Sequence, residues 1–250
     1  MARKPLTILT KHKADHIRWR SHEVTRIEAF SDAVFAFAIT LLIISLEVPK
    51  SSEELLHNMR GFIPFSLCFA LLFVIWNNQH RFFRRFGLQD NFTLALNAML
   101  LFVVLFYVYP LKFMVCGMLL RNVVFTNKPG ELRNLMLIYN GGFAAIYTLF
   151  SLMYFNALQK REHLQLTPKE IYTTKNTLYI NMVLAAVGIA ATITAALGDG
   201  PATVCCIAYA FIGPATALIM AKRKKTGKMF EDEHKVAAIP HHVPETETLN

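Results

Sequence analysis

Charge is scarce in this sequence: only 17% of its 250 residues are Asp, Glu, Lys or Arg, against 54% hydrophobic. That balance is foreign to ordinary water-soluble domains. Cysteine is scarce too. Cys68, Cys116, Cys205 and Cys206 all lie in apolar stretches and none belongs to a spaced Cys-x-x-Cys pattern, so they read as small packing residues rather than metal ligands. Histidine offers no catalytic or metal cluster at membrane depth: His80 stands near a predicted helix end without a second histidine at ligand spacing, and His241-His242 lies near the C-terminus. An intramembrane enzyme needs a nucleophile with its base, or a metal cluster, and neither pattern is present. The first apolar run is followed by Ser45-Leu46-Glu47-Val48-Pro49 with no small-x-small cleavage site, so it is expected to stay as a span. The net charge of +9 comes without an aromatic-interleaved basic patch, and no nucleic-acid partner is expected.

What the sequence has in abundance is apolar runs of about 20 residues, the length a helix needs to cross roughly 30 Å of hydrocarbon. Six are predicted, at about 27–48, 62–83, 92–120, 135–158, 178–197 and 202–221. The expected fold is therefore an all-α membrane protein with six transmembrane helices per subunit. Residues 1–26 form a basic N-terminal segment, 27–221 the membrane domain, and 222–250 a polar tail expected to be disordered, with Pro240 and Pro244. Pro49 stops the first helix, and Pro64 is tolerated in the first turn of the second. Pro110 with Lys112 marks a kink in the third helix or its exit into the interface, beside Tyr107 and Tyr109. Gly198-Asp199-Gly200-Pro201 makes the last connection a tight hairpin.

Of the 26 Lys and Arg residues, 20 fall on one face if both ends are cytoplasmic, which sets that orientation by the positive-inside rule. The implied location is the cell (plasma or inner) membrane. The run Lys222-Arg223-Lys224-Lys225 reads as a stop-transfer flank, or as a contact for anionic lipid at the inner leaflet.

The first helix carries the informative chemistry, because ionisable side chains in a span cost on the order of 3 kcal/mol on insertion scales. Arg26, Glu28 and Asp32 lie near its entry and Glu47 near its exit. Arg26 and Asp32 are six residues apart, about 240° around a helix, so they cannot pair with each other and must look to another helix or to water. Their text, Arg26-Ile27-Glu28-Ala29-Phe30-Ser31-Asp32, followed by Ala33 to Leu42, resembles the signature of the transmembrane protein 175 family, lysosomal and bacterial potassium channels that lack a carbonyl-lined filter sequence. Further matching text follows in Trp76, Arg81 to Phe83, Asp90 and Leu94-Ala95-Leu96-Asn97, so the resemblance spans about the first 110 residues.

That resemblance implies a potassium-permeable channel, a pore lined by the first helix of each subunit and, since no second motif occurs, a homotetramer of the single-repeat bacterial type. It implies no cofactor, only the permeant K+. It also places an apolar constriction at Phe37, where other members more often carry Ile or Leu. On the residues themselves, Ala33, Phe37, Thr40, Ile44 and Glu47 fall on one helical face by steps of four and three. Phe37 and Ile44 would form apolar rings that dewet a narrow neck, and Glu47 a carboxylate ring that concentrates cations. The Thr40 hydroxyl would meet a partly dehydrated K+, or hydrogen-bond back to the Ala36 carbonyl. Preference for K+ over Na+ should be modest. Arg26, Phe30, Ser31 and Asp32, with Trp76, Gln79 and His80, are expected to form an inter-helix network at the inner end. Family members usually carry His where this chain has Gln79, so His80 is the other candidate for that centre.

The alternative is a proton- or sodium-coupled secondary transporter using Asp32 and Glu47. It would be marked by paired, interrupted halves. Gly141-Gly142 and Gly213-Pro214 are possible interruptions, but no matching halves are visible.

Overall fold

The computed structural model describes residues 24–44, 51–59, 61–120 and 130–197. Among them the structure is all helical: α1 (Arg26–Ile44), α2 (Ser52–Met59), α3 (Phe62–Phe86), α4 (Asn91–Leu120), α5 (Glu131–Gln159) and α6 (Pro168–Ala196). The sixth predicted span, Glu47 and the residues beyond 197, including the tail and Lys222 to Lys225, lie outside the described residues.

Among the described residues four stretches are long and apolar enough to cross a membrane: Phe62–Phe86, Asn91–Val115, Arg133–Gln159 and Pro168–Ala196. The 19 residues of α1 rise about 28 Å, close to the hydrocarbon thickness. Large apolar side chains on the outer faces, such as Phe102, Phe106, Ile189 and Ile193, are exposed. Hydrocarbon rather than water suits such a surface.

Three predicted boundaries need correction. The helix expected from 178 begins ten residues earlier, at Pro168. Thr167 accepts from the Glu170 amide at 3.3 Å while the Glu170 carboxylate accepts from the Thr167 amide at 2.9 Å, a capping box with Pro at the first helical position. Lys169 and Lys175 therefore belong to α6. The helix expected from 135 starts at Glu131, after Gly130 with φ 85°. The connection expected after Pro49 contains a helix, α2, whose polar composition hides it from a search for apolar runs.

The remaining ends follow local chemistry. Gly87 takes the left-handed conformation at φ 60° and donates its N–H to the Phe83 carbonyl, closing α3 after Arg84 and Arg85. Asp90 caps α4 by accepting from the Thr93 amide at 3.2 Å. Further along, α4 runs through Pro110, which has no N–H to offer Phe106.

Helix α4 packs against α1, α3 and α5, and α6 packs along α5. The core they share includes Phe35, Leu72, Phe82, Leu100, Val104 and Phe150. Two glycines let helices approach closely. A Cβ on Gly142 would lie 2.3 Å from Tyr107 Cδ2, and one on Gly188 would lie 3.0 Å from the Ala144 backbone.

Candidate functional site

Helix α1 has two unlike faces. Glu28, Ser31, Phe35, Ala38 and Leu42 recur at steps of three and four and are buried against the rest of the subunit. Ala29, Ala33, Ala36, Phe37 and Thr40 are exposed, Phe37 at 55%. Of the predicted stripe, Ala33, Phe37 and Thr40 thus share the uncovered face. The Ile44 side chain and Glu47 lie outside the described residues.

Thr40 does bond to its own helix, but the acceptor is the Phe37 carbonyl at 2.7 Å and not that of Ala36. This uses the hydroxyl proton. A hydroxyl has one proton and two lone pairs, so the oxygen keeps acceptor capacity.

Glu28 is held by its own helix start. Its carboxylate accepts from the Thr25 amide and hydroxyl, both at 2.9 Å, and the Glu28 amide donates to Thr25 Oγ1 at 3.2 Å. Thr25-x-x-Glu28 is a capping box, which resolves one of the three charges in the first two turns. Glu28 Oε1 is buried without a hydrogen-bond partner.

Behind the exposed face, three polar side chains link three helices. Gln79 Nε2 on α3 donates to Asn97 Oδ1 on α4 at 2.9 Å, and Asn97 Nδ2 donates to Ser31 Oγ on α1 at 2.9 Å. Ser31 passes its own proton to the Ile27 carbonyl at 2.8 Å. All three are essentially without solvent exposure. Each donates a bond that the next accepts, which is how such groups are tolerated in an apolar interior.

A second link lies beside it. Trp76 Nε1 donates to Asp32 Oδ1 at 2.7 Å, and the His80 ring stacks on Trp76 with centroids 5.2 Å apart. Asn97 is the middle of the buried chain and the amide of Gln79 its α3 end, while His80 contributes a stacked ring. Arg26 and Phe30 line a largely apolar crevice of about 190 Å³ with Ile27, Leu94, Ala98 and Leu101, and Asn97 of the network borders it as well.

Two residues that the sequence reading left out of the network complete this region. Asn97 joins the network; its signal was an amide alone in a strongly apolar run. Lys112, read from the sequence as a boundary residue, instead turns inward and donates to the Leu42 carbonyl of α1 at 2.8 Å.

At the opposite end from Lys112, Asp90 gathers α4 and α5. Lys160 Nζ lies 2.8 Å from Asp90 Oδ2, Thr93 Oγ1 donates to Asp90 Oδ1 at 2.7 Å, and Asn156 Nδ2 donates to Thr93 Oγ1 at 2.9 Å. Desolvation alone would raise the Asp90 pKa. The Lys160 and Thr93 hydrogen bonds and the Lys160 charge outweigh it together, and hold the carboxyl at about 2. Among the described residues no group of His, Cys, Asp or Glu is arranged to hold a metal ion.

Comparison with known proteins adds to this geometry. Residues 26–120 match the family model described as endosomal/lysosomal potassium channel TMEM175. The chain is similar to a potassium channel of Marivirga tractuosa, with 42% identity over 184 residues, 68% of this chain and 73% of that one. It is similar as well to a potassium channel of Chamaesiphon minutus, 38% identical over 96 residues that make up 35% of this chain and 47% of the other. Among solved structures, a variant of the potassium channel MtTMEM175, crystallised with a nanobody–MBP fusion protein, superposes with a TM-score of 0.74 at 35% identity. That match covers 84% of this chain and 98% of the other.

Proposed function

Since the chain belongs to the TMEM175 family of potassium channels, we propose that it conducts K+ passively through a homotetrameric pore lined by α1 of each subunit. It is a channel protein and not an enzyme. The observation that carries the pore reading is the division of α1. Ser31, Phe35, Ala38 and Leu42 are buried against the subunit's own helices, while Ala33, Phe37 and Thr40 are left uncovered. Copies arranged about an axis would bring those uncovered faces together.

On this reading Phe37 forms an apolar ring that sheds water when narrow, and an ion crosses only where another ligand replaces its hydration. Thr40, one turn further, supplies that ligand: its proton is already committed to the Phe37 carbonyl, so its oxygen presents lone pairs to K+. Potassium gives up water more readily than sodium, which yields a modest K+ preference. Ile44 makes a second apolar ring and Glu47 an outer ring of carboxylates. Both termini are cytoplasmic, in the cell membrane, with Lys222 to Lys225 near anionic headgroups. The buried Ser31–Asn97–Gln79 chain and the Asp32–Trp76 bond fix the rotation of α1, and so decide which face looks inward.

The test is the bi-ionic K+/Na+ reversal potential of the purified protein in planar bilayers, with its subunit count. Wild type should show a K+ preference as a tetramer, and T40A should assemble normally with its reversal potential moved toward zero. Unchanged reversal in T40A would remove Thr40 from the pathway.

A further inference from the structure

We propose that Lys112 is a positioning residue for ion preference: its ammonium, bonded to the Leu42 carbonyl, holds the outer half of α1 so that Thr40 keeps its place in the pathway. The proposal rests on the reading of α1 as pore-lining. A lysine at this depth of a long apolar helix is costly, on the order of 3 kcal/mol at mid-span and less toward the interface. The ordinary escape is for the long side chain to snorkel to the headgroups. Here Lys112 does not take it. It is half-buried, and its Nζ lies 2.8 Å from a main-chain oxygen of the neighbouring helix.

The acceptor sits where holding matters. Leu42 is fully buried, and it is two residues beyond Thr40. A bond to its carbonyl acts on the backbone of α1, so it constrains the helix whatever side chain stands there.

This bond is one of two pins between α1 and α4. The inner one is Asn97 to Ser31; the outer is Lys112 to Leu42. Eleven residues separate the pins on α1 and fifteen on α4, about 16 Å and 22 Å of helical rise. The difference, about 6 Å, matches the reach of an extended lysine leaning toward the N-terminus of its own helix, the direction in which helical side chains point. Two pins on one helix fix rotation as well as height. Without the outer pin, Thr40 lies eight residues from the nearest polar tie, the Asp32–Trp76 bond, and its place in the pathway would rest on apolar packing alone.

Pro110 makes the outer pin more consequential. Two residues before Lys112, it leaves the Phe106 carbonyl without its usual donor, a local softening of α4. Lys112 ties the segment after that point to α1.

The experiment compares wild type, K112M, K112Q, K112R and T40A, each as the full chain in planar bilayers, by subunit count and bi-ionic K+/Na+ reversal potential. Reversal potential does not depend on how many channels fold, so a purely structural residue would leave it unmoved. K112M and K112Q should assemble as wild type with reversal shifted toward zero, and K112R, which keeps the cationic donor, should retain the wild-type value. If K112M and K112Q keep the wild-type reversal while T40A shifts, the Lys112 inference is overturned and the pore reading stands. If T40A is also unmoved, Thr40 leaves the pathway and the Lys112 inference is overturned with it. Failure of both neutral variants to assemble would overturn the inference as well, by placing Lys112 in folding alone.

Discussion

The indole N–H of Trp76 lies 2.7 Å from Asp32 Oδ1, so a donor on α3 meets the acid of the second turn of α1 across 44 residues of sequence. The bond is flanked by rings on both sides of Trp76, with Phe73 at 5.3 Å and His80 at 5.2 Å between centroids. Packing holds the indole and the carboxylate orients it. Two kinds of force converge on one side chain, and substitution can separate them.

Trp76→Phe keeps an aromatic ring between Phe73 and His80 and removes the donor to Asp32. A hydrogen bond to a charged group contributes about 1.5–3 kcal/mol, so the variant should unfold at lower temperature in detergent. Asp32→Asn retains an acceptor oxygen and should lose less than Asp32→Ala. If the three variants melt together with wild type, the bond is incidental to the fold of α1.

The buried amide chain makes a sharper case. Asn97→Leu removes the acceptor of Gln79 and the donor to Ser31 at once; Gln79 Nε2 is left buried without its acceptor, while Ser31 keeps its bond to the Ile27 carbonyl. Such an orphan costs about 1–3 kcal/mol. Gln79→His replaces the amide by a ring whose N–H can also donate to Asn97 Oδ1, and it should be tolerated far better than Gln79→Leu. Thermal melting of the three variants, followed by size-exclusion, ranks them; equal losses for His and Leu at position 79 would show that donation to Asn97 is not what Gln79 supplies.

How much of this was legible in the sequence depends on the residue. The motif from Arg26 to Asp32 pointed to the first helix because charge in a span demands an explanation, and Trp76 was legible as a partner because the second long helix returns to the same side. Asn97 was harder to single out, since one amide in an apolar run says nothing about which helix it faces. Glu28 looked like a third costly charge, yet Thr25 three residues before it absorbs the carboxylate locally. The start of α6 was misplaced because hydropathy rises only at Leu178, whereas the helix is initiated by Thr167, Pro168 and Glu170, whose signal is hydrogen-bonding rather than apolar. Lys112 was read by its depth alone, and depth does not reveal that a carbonyl of another helix lies within reach. Interactions within three or four residues can be read from text; those that depend on the rotation of one helix against another cannot.

Close approach of α4 and α5 depends on Gly142. A methyl group there would meet the Tyr107 ring at 2.3 Å, and Tyr107 is itself buried beside Tyr139 at 5.5 Å between centroids. The ring cannot swing aside freely, so Gly142→Ala should cost about 1–3 kcal/mol through overpacking. Gly142→Ala combined with Tyr107→Leu should recover part of the loss, as residues in contact are not additive. Gly141→Ala is the control, since nothing lies within 4 Å of a Cβ at that position. Equal melting temperatures for the two single variants would contradict the packing shown here.

The Asp90–Lys160 pair gives a pH dependence whose sign is fixed. The carboxyl titrates near 3.8 when free and at about 2 in the fold. A depressed folded pKa means the ionised form is favoured by folding, so its contribution is complete above about pH 4 and is lost as pH falls from there through 2. Both side chains are about a third exposed, 33% for Lys160 and 28% for Asp90, which limits the pair to about 0.5–1 kcal/mol in a double-mutant cycle with Asp90→Asn and Lys160→Met. Melting temperature measured in detergent from pH 6 down to pH 3 should fall less steeply in Asp90→Asn than in wild type, because the variant has no carboxyl to protonate. Parallel curves would mean that Lys160 and Thr93 do not hold Asp90 ionised, and that the junction of α4 with α5 rests on the Asn156–Thr93 bond instead.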